Sequence, residues 1–183
     1  AYDTHKGNLK YLLSFAPGAY APEINLDNSK SHTTAVFHSD PHSRQNEKLD
    51  YTLKNNIDRI FTPVYHPFLY YYPEINENKV EHMPWWIPER LVINPDGVRY
   101  SGQDNIAVFG SGGSECYSLR DWCRGQQETE SYQISRNNPV ATGDEYHEWI
   151  RNFDAAVAAT SILEHQNYLV SKFVEIPAAG ALL

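Results

Sequence analysis

Short apolar runs alternate along this chain with segments of helical spacing, and the alternation itself predicts a fold. Thr33 to His38, TTAVFH, is apolar and β-branched between polar neighbours and reads as a buried strand. Ser43 to Asn56 follows as a helix, with Leu49 and Leu53 one turn apart on its expected core side. Ile57 to Val64 predicts the next strand and His66 to Tyr72 a short aromatic helix. Lys79 to Ile87 predicts a further strand, closing on Trp85, Trp86 and Pro88. Tyr11 to Phe15 reads as an earlier short strand, with a Pro/Gly/Asn-rich loop after it. From Pro88 to Asp104 the periodicity gives way to prolines, glycines and charge, and a second series then begins. It runs Asn105–Phe109 (strand), Ser118–Gln127 (helix), Tyr132–Ile134 (strand), Asp144–Asn152 (helix) and Asp154–Ser161 (strand). Strand and helix in alternation predict an α/β protein with parallel sheets. The expected organisation is an N-terminal unit over residues 1–88, a connection over 89–104 and a second unit over 105–183.

The last sixteen residues, YLVSKFVEIPAAGALL, carry the most information. At about 100° per residue, Tyr168, Lys172, Glu175 and Ala179 fall on one narrow face. Leu169, Val170, Phe173, Val174, Ile176 and Pro177 cover the broad apolar remainder, so the helix is expected to lie largely buried. Pro177 cannot continue the helical hydrogen bonding and Gly180 is a natural stop. Ala181-Leu182-Leu183 then reads as the opening of a buried strand. With Ala1 in place of an initiating methionine, the chain is expected to be an internal piece of a longer protein, with both units truncated.

Lys172-Phe-x-Glu175-x-Pro-Ala-x-Gly-Ala-Leu-Leu resembles the nucleotide-binding helix of glycosyltransferases of GT-B architecture, which are built from two Rossmann-like domains, and in particular the CgeB-like group. That resemblance implies that Glu175 accepts hydrogen bonds from the donor ribose. The chemistry agrees, because a carboxylate is acceptor-only and can take both hydroxyls of a vicinal diol. Many members of the group carry a second glutamate eight residues earlier, where this chain has Asn167.

Gly110-Ser111-Gly112-Gly113 stands between a predicted strand and a predicted helix. Such a loop can place backbone N–H groups around an anion while its glycines allow close approach. The spacing is neither GxGxxG nor a P-loop. Tyr117-Ser118-Leu119-Arg120 is similar to the Tyr-Pro-Leu-Arg stretch that follows the corresponding loop in the resembled group, which implies Arg120 near the donor diphosphate. Lys172 is expected to share that role.

His38-Ser39-Asp40-Pro41-His42 closes the predicted strand at 33–38, and ligands of open α/β sheets bind at the carboxyl ends of strands. Asp40 and His42, with His66 at the end of a neighbouring strand, are the candidate catalytic residues. Asp40 followed by Pro41 also fits a plain helix start, Asp as N-cap and Pro at the first turn. Asp40-Pro41-His42 matches the Asp-x-His of metal-dependent phosphoesterases as well, but the companion motifs are missing and Gly143-Asp144-Glu145-Tyr146-His147 fails at its last position. The aromatic group Tyr65, His66, Phe68, Tyr70, Tyr71, Tyr72, Trp85 and Trp86 could serve a sugar acceptor, though packing is the expected role.

Composition narrows the classes. A net charge of −8 argues against a general nucleic-acid binder, and no run of apolar residues is long enough for a transmembrane helix. Cys116 and Cys123 lie about 10.5 Å apart if on one helix, too far for a disulfide, which fits a reducing cytoplasm. There is no Asp-x-Asp to chelate a divalent cation. The expected activity is therefore metal-independent transfer of a sugar from a nucleotide-diphosphate donor, with no cofactor, to a glycan, protein or small-molecule acceptor. The alternatives are a metal-dependent phosphoesterase and a non-catalytic nucleotide- or sugar-binding relative.

Overall fold

The computed structural model describes residues 11–15, 33–93, 105–110, 115–133 and 143–183. The chain divides between Pro84 and Trp85 into two compact units. The sequence boundary was expected from Pro88 onward. In the structure residues 85–93 already belong to the second unit: the Trp85 indole donates to the Leu169 carbonyl at 3.0 Å and the Ile93 amide to the Ala178 carbonyl at 2.8 Å. Residues 94–104 lie outside the described part of the chain.

The first unit is a four-stranded parallel sheet of β1 (Tyr11–Phe15), β2 (Thr33–Phe37), β3 (Arg59–Thr62) and β4 (Val80–His82). Helix α1 (Gln45–Lys54) joins β2 to β3, and α2 (Tyr65–Tyr71) joins β3 to β4. The register puts Val36, Ile60 and Val80 side by side on one face. There they share a core with Tyr51 of α1, Phe68 of α2 and Tyr72 just beyond it. Strand order follows chain order without reversal. Right-handed crossovers that step in one direction keep their helices on one face, as the shared core of α1 and α2 requires. On the other face lie Tyr11, Leu13, Ala35, Arg59, Phe61 and Glu81, of which Tyr11 and Leu13 are largely exposed.

Three local expectations for this unit are corrected. Leu53 is 56 % exposed, because α1 turns Lys48, Tyr51 and Thr52 inward instead. Residues 79–87 form a strand only over Val80–His82, since the Pro84 and Trp85-Trp86 segment leaves the sheet at the boundary. Asp40 does not cap α1: Arg44 holds the N-cap position in left-handed conformation (φ 54°), with no side-chain cap.

The second unit has β5 (Ile106–Gly110) in the middle of a parallel sheet, between β6 (Thr129–Gln133) and β7 (Ala155–Val157). Leu182 adds a parallel bridge to Ala155 on the outer side of β7. Helix α3 (Ser118–Arg124) connects β5 to β6 and packs along both. Helices α4 (Asp144–Ile150) and α5 (Lys172–Ala178) share a core with Ala107, Phe109 and Ala156. The chain leaves β5 first toward β6 and then returns to β5's other side as β7. The strand order therefore reverses beside β5, the arrangement that opens a crevice at the carboxyl ends of the strands.

The terminal helix is shorter than the period suggests. It starts at Lys172, and Leu169, which lies before it, is exposed. Only Ile176 and Ala178 are buried within it, so the expected broad buried face is narrow. Pro177 sits inside the last turn, where its missing N–H removes one bond. Gly180 (φ 86°) then closes the helix: the Ala181 amide donates to the Ile176 carbonyl at 3.2 Å and the Gly180 amide to the Pro177 carbonyl at 2.9 Å, a Schellman ending. Ala181 is buried, and Leu182 and Leu183 are exposed at the sheet edge. The strand expected over 154–161 is limited to Ala155–Val157. Among the described residues no helix is long and apolar enough to cross a membrane.

Candidate functional site

The candidate site in the second unit is built at the carboxyl end of β5. Strand β5 is buried along Ala107–Gly110 and ends on Gly110 at φ 119°, a backbone state that side chains rarely tolerate. A Cβ there would come 3.3 Å from Nη1 of Arg120 and 3.5 Å from Cε of Lys172. The absence of a side chain at Gly110 is thus what lets α3 and α5 bring two cationic side chains together over the strand end.

Arg120 is buried. Its Nη2 donates to the Ala159 carbonyl, just past β7, at 2.8 Å, and its guanidinium carbon lies 4.4 Å from the centre of the Tyr117 ring. Burial lowers the Arg120 pKa from its usual guanidinium value, partly offset by Tyr117. The carbonyl and the aromatic face supply part of the compensation that a desolvated cation requires. One turn later Arg124 donates to the Gly110 carbonyl at 2.6 Å and pairs with Asp121 at 2.6 Å. Lys172 Nζ sits 5.6 Å from the centre of the Phe109 ring. Glu175, three residues along α5, accepts a hydrogen bond on Oε2 from the Tyr146 hydroxyl at 3.3 Å.

Gly110, Arg120 and Lys172 are therefore adjacent, with Glu175 one turn along the helix that carries Lys172. Ser111, Gly112 and Gly113 lie outside the described residues. Asn167, eight residues before Glu175, is exposed and accepts from the Thr160 hydroxyl at 2.8 Å. Two neighbours were missed by sequence reading. Arg124 was findable, because it lies one turn from Arg120 on the same helix. Tyr146 carried no signal: its segment drew notice only as an incomplete phosphoesterase motif.

The candidates in the first unit are arranged differently. Asp40 is exposed after β2, and its backbone carbonyl accepts from Lys48 Nζ at 2.5 Å. His42 is half-buried with its ring 6.3 Å from that of Tyr71. His66 is exposed in the first turn of α2, edge-on to Tyr65. His66 and Tyr71 are five residues apart on α2, about 7.5 Å along the axis and roughly 140° around it, so His42 lies by the far end of the helix from His66. The strand order here does not reverse, so the described part of this sheet has no switch-point crevice. His38 is buried after β2, its Nε2 3.2 Å from the Thr52 hydroxyl and its ring edge-on to those of Phe68 and Tyr72. The aromatic group is split: Phe68 and Tyr72 are core, Tyr70 and Trp86 are exposed, and Trp85 belongs to the second unit.

Among the described residues no three His, Cys, Asp or Glu side chains are grouped to hold a metal ion. Cys116 and Cys123 are both unpaired.

Gly110→Ala is expected to destabilise the second unit by more than about 1 kcal/mol, because alanine is strained at this φ. It should also push Arg120 and Lys172 apart. Urea unfolding followed by tryptophan fluorescence checks this, since all four tryptophans lie in the second unit. An unchanged midpoint would show that the strand end has no need of glycine. Comparison of the chain with protein-family models, with curated proteins and with solved structures found no match, so the case for this site rests on its own geometry.

Proposed function

We propose that this chain is the nucleotide-sugar-handling part of a glycosyltransferase of GT-B architecture, with two Rossmann-like domains. The reaction is transfer of a sugar from a nucleotide-diphosphate donor to a glycan, protein or small-molecule acceptor. The observation that carries the reading is the adjacency of Arg120 and Lys172 over Gly110, beside the reversal in strand order, with Glu175 one turn along α5. A diphosphate would lie against the two cations and the loop at Gly110, Ser111, Gly112 and Gly113, and a ribose diol against the Glu175 carboxylate. The same cations would stabilise the departing diphosphate without reorganising as its charge develops. Asp40, His42 and His66 of the first unit are proposed for the sugar and acceptor chemistry. The unpaired cysteines suit a cytoplasmic setting.

Nucleotide binding without transfer is a second reading. It is favoured by the placement of His66 and His42 toward opposite ends of α2. Calorimetric titration with ribonucleoside diphosphates tests binding, and release of sugar from candidate donors tests turnover. Failure of every ribonucleoside diphosphate to bind would overturn both readings, whereas binding without turnover would select the second. Where turnover is found, EDTA is expected to leave it unchanged, because protein cations and not a metal neutralise the leaving group. Loss of turnover with EDTA and recovery with Mn²⁺ or Mg²⁺ would point back to metal chemistry.

A further inference from the structure

We infer that Tyr146 is a positioning residue that fixes the carboxylate of Glu175 and so sets a preference for ribose over 2′-deoxyribose in the bound nucleotide. The inference rests on the proposed role of Glu175. Tyr146 stands on α4, and its hydroxyl is directed at Oε2 of Glu175 on α5, 29 residues away in sequence. The phenol is placed by packing and not by the carboxylate. Its ring is edge-on to Phe109, with centroids 6.1 Å apart, and stacks on Trp149 at 6.1 Å with 20° between planes. Phe109 is itself fully buried in β5, so the hydroxyl stands at a point fixed by the sheet.

The terminal torsion of a glutamate is broad, and an unanchored carboxylate at a helix surface samples many orientations. A donor on Oε2 selects one of them. It leaves Oε1, and the second lone pair of Oε2, as acceptors for two further donors. Two donors are what a vicinal ribose diol offers, and a 2′-deoxyribose offers one fewer. Tyr146 remains a donor throughout the working range, because burial and the Glu175 carboxylate both raise its pKa well above the ordinary phenol value. The O···O distance of 3.3 Å is longer than the usual phenol–carboxylate bond, which leaves room for the contact to tighten when a diol engages the other oxygen.

The test compares each tight-binding ribonucleoside diphosphate with its 2′-deoxy counterpart by calorimetry on the full chain, for wild type, Tyr146→Phe, Glu175→Gln and the double variant. Wild type is expected to favour the ribonucleotide by about tenfold or more, the value of a hydrogen bond to a charged group. Tyr146→Phe removes one oxygen and keeps every ring contact, and the preference should fall to within about threefold. Glu175→Gln keeps one acceptor oxygen and loses the charge, so the preference should fall at least as far, with little further loss in the double variant. Incorporating 3-fluorotyrosine at position 146, a stronger donor of the same shape, should raise the preference, and this decides the matter if Tyr146→Phe fails to fold. A preference unchanged in Tyr146→Phe or with fluorotyrosine would overturn the inference while leaving Glu175 as the diol acceptor. Tighter ribonucleotide binding by Tyr146→Phe would overturn it too, by showing that the phenol competes with the ligand. A wild type that binds both sugars equally would instead overturn the role of Glu175 itself.

Discussion

Acidification is expected to destabilise the first unit through His38 at about 1.4 kcal/mol per pH unit over the window from pH 6.5 down to about 3. His38 is fully buried at the end of β2. The Thr52 hydroxyl donates its proton to the Lys48 carbonyl at 2.8 Å, so it receives the His38 Nε2–H as an acceptor. Nδ1 is buried with no hydrogen-bond partner among the described residues. Protonation would place an N–H⁺ against the rings of Phe68 and Tyr72 with no acceptor. Burial, and secondarily the charge of Lys48, lower the pKa from 6.5 to about 3. Within that window the unfolded chain binds a proton at this site and the folded one does not, so stability rises with pH and is lost as pH falls. The full effect is roughly 4–5 kcal/mol, comparable to the whole stability of a small domain.

Urea unfolding at a series of pH values, in wild type and His38→Leu, measures it. Far-UV circular dichroism is the suitable probe, because the first unit contains no tryptophan. The wild-type slope should exceed that of the variant by about one proton between roughly pH 6 and pH 4. Equal slopes, or a His38 resonance that titrates near its ordinary pKa in the folded protein, would refute the argument.

Glu175→Ala is expected to weaken nucleoside-diphosphate binding by roughly ten- to a hundredfold, the loss of about 1.5–3 kcal/mol in hydrogen bonds to a charged acceptor. The fold should survive, because Glu175 is only half-buried and Ile176, its neighbour in α5, supplies the core contact. The Tyr146 hydroxyl would lose a partner, so a modest loss of stability is expected alongside. Circular dichroism controls for folding and calorimetry reports affinity. Unchanged affinity would reduce Glu175 to a structural acceptor for Tyr146.

Local pattern carried a good deal of this protein. The apolar runs at 33–37 and 106–110 became the strands that lead into the two candidate regions, and Gly180 became the helix ending that its position suggested. Those features are set within a few residues: β-branched runs favour a pleated, buried surface, and a left-handed turn favours glycine. Arg120 and Glu175 were singled out through short motifs, and Arg124 shares a helix face with Arg120.

Boundaries and burial were less legible. Leu53 has the helical spacing of a core residue, yet Tyr51 and Thr52 occupy the inward side, because the sheet, not the helix alone, chooses which face is covered. Asp40-Pro41 has the composition of a helix start, but the Lys48 ammonium holds the Asp40 carbonyl and the helix begins later, at Gln45. The lowered pKa of His38 depends on rings that α2 delivers from some thirty residues downstream.

By itself, then, the sequence determined the α/β alternation, the glycine at the end of β5 and the one-turn spacing of Lys172 and Glu175 on the terminal helix, because each follows from steric preference and periodicity over a few residues. Only the tertiary structure decided that strand order runs straight through the first sheet and reverses in the second. It also decided that Arg120 is buried against the Ala159 carbonyl and that Tyr146 reaches Glu175. Those outcomes join residues 29 to 39 positions apart, and their geometry is set by how whole helices pack on a sheet, which no local spacing encodes.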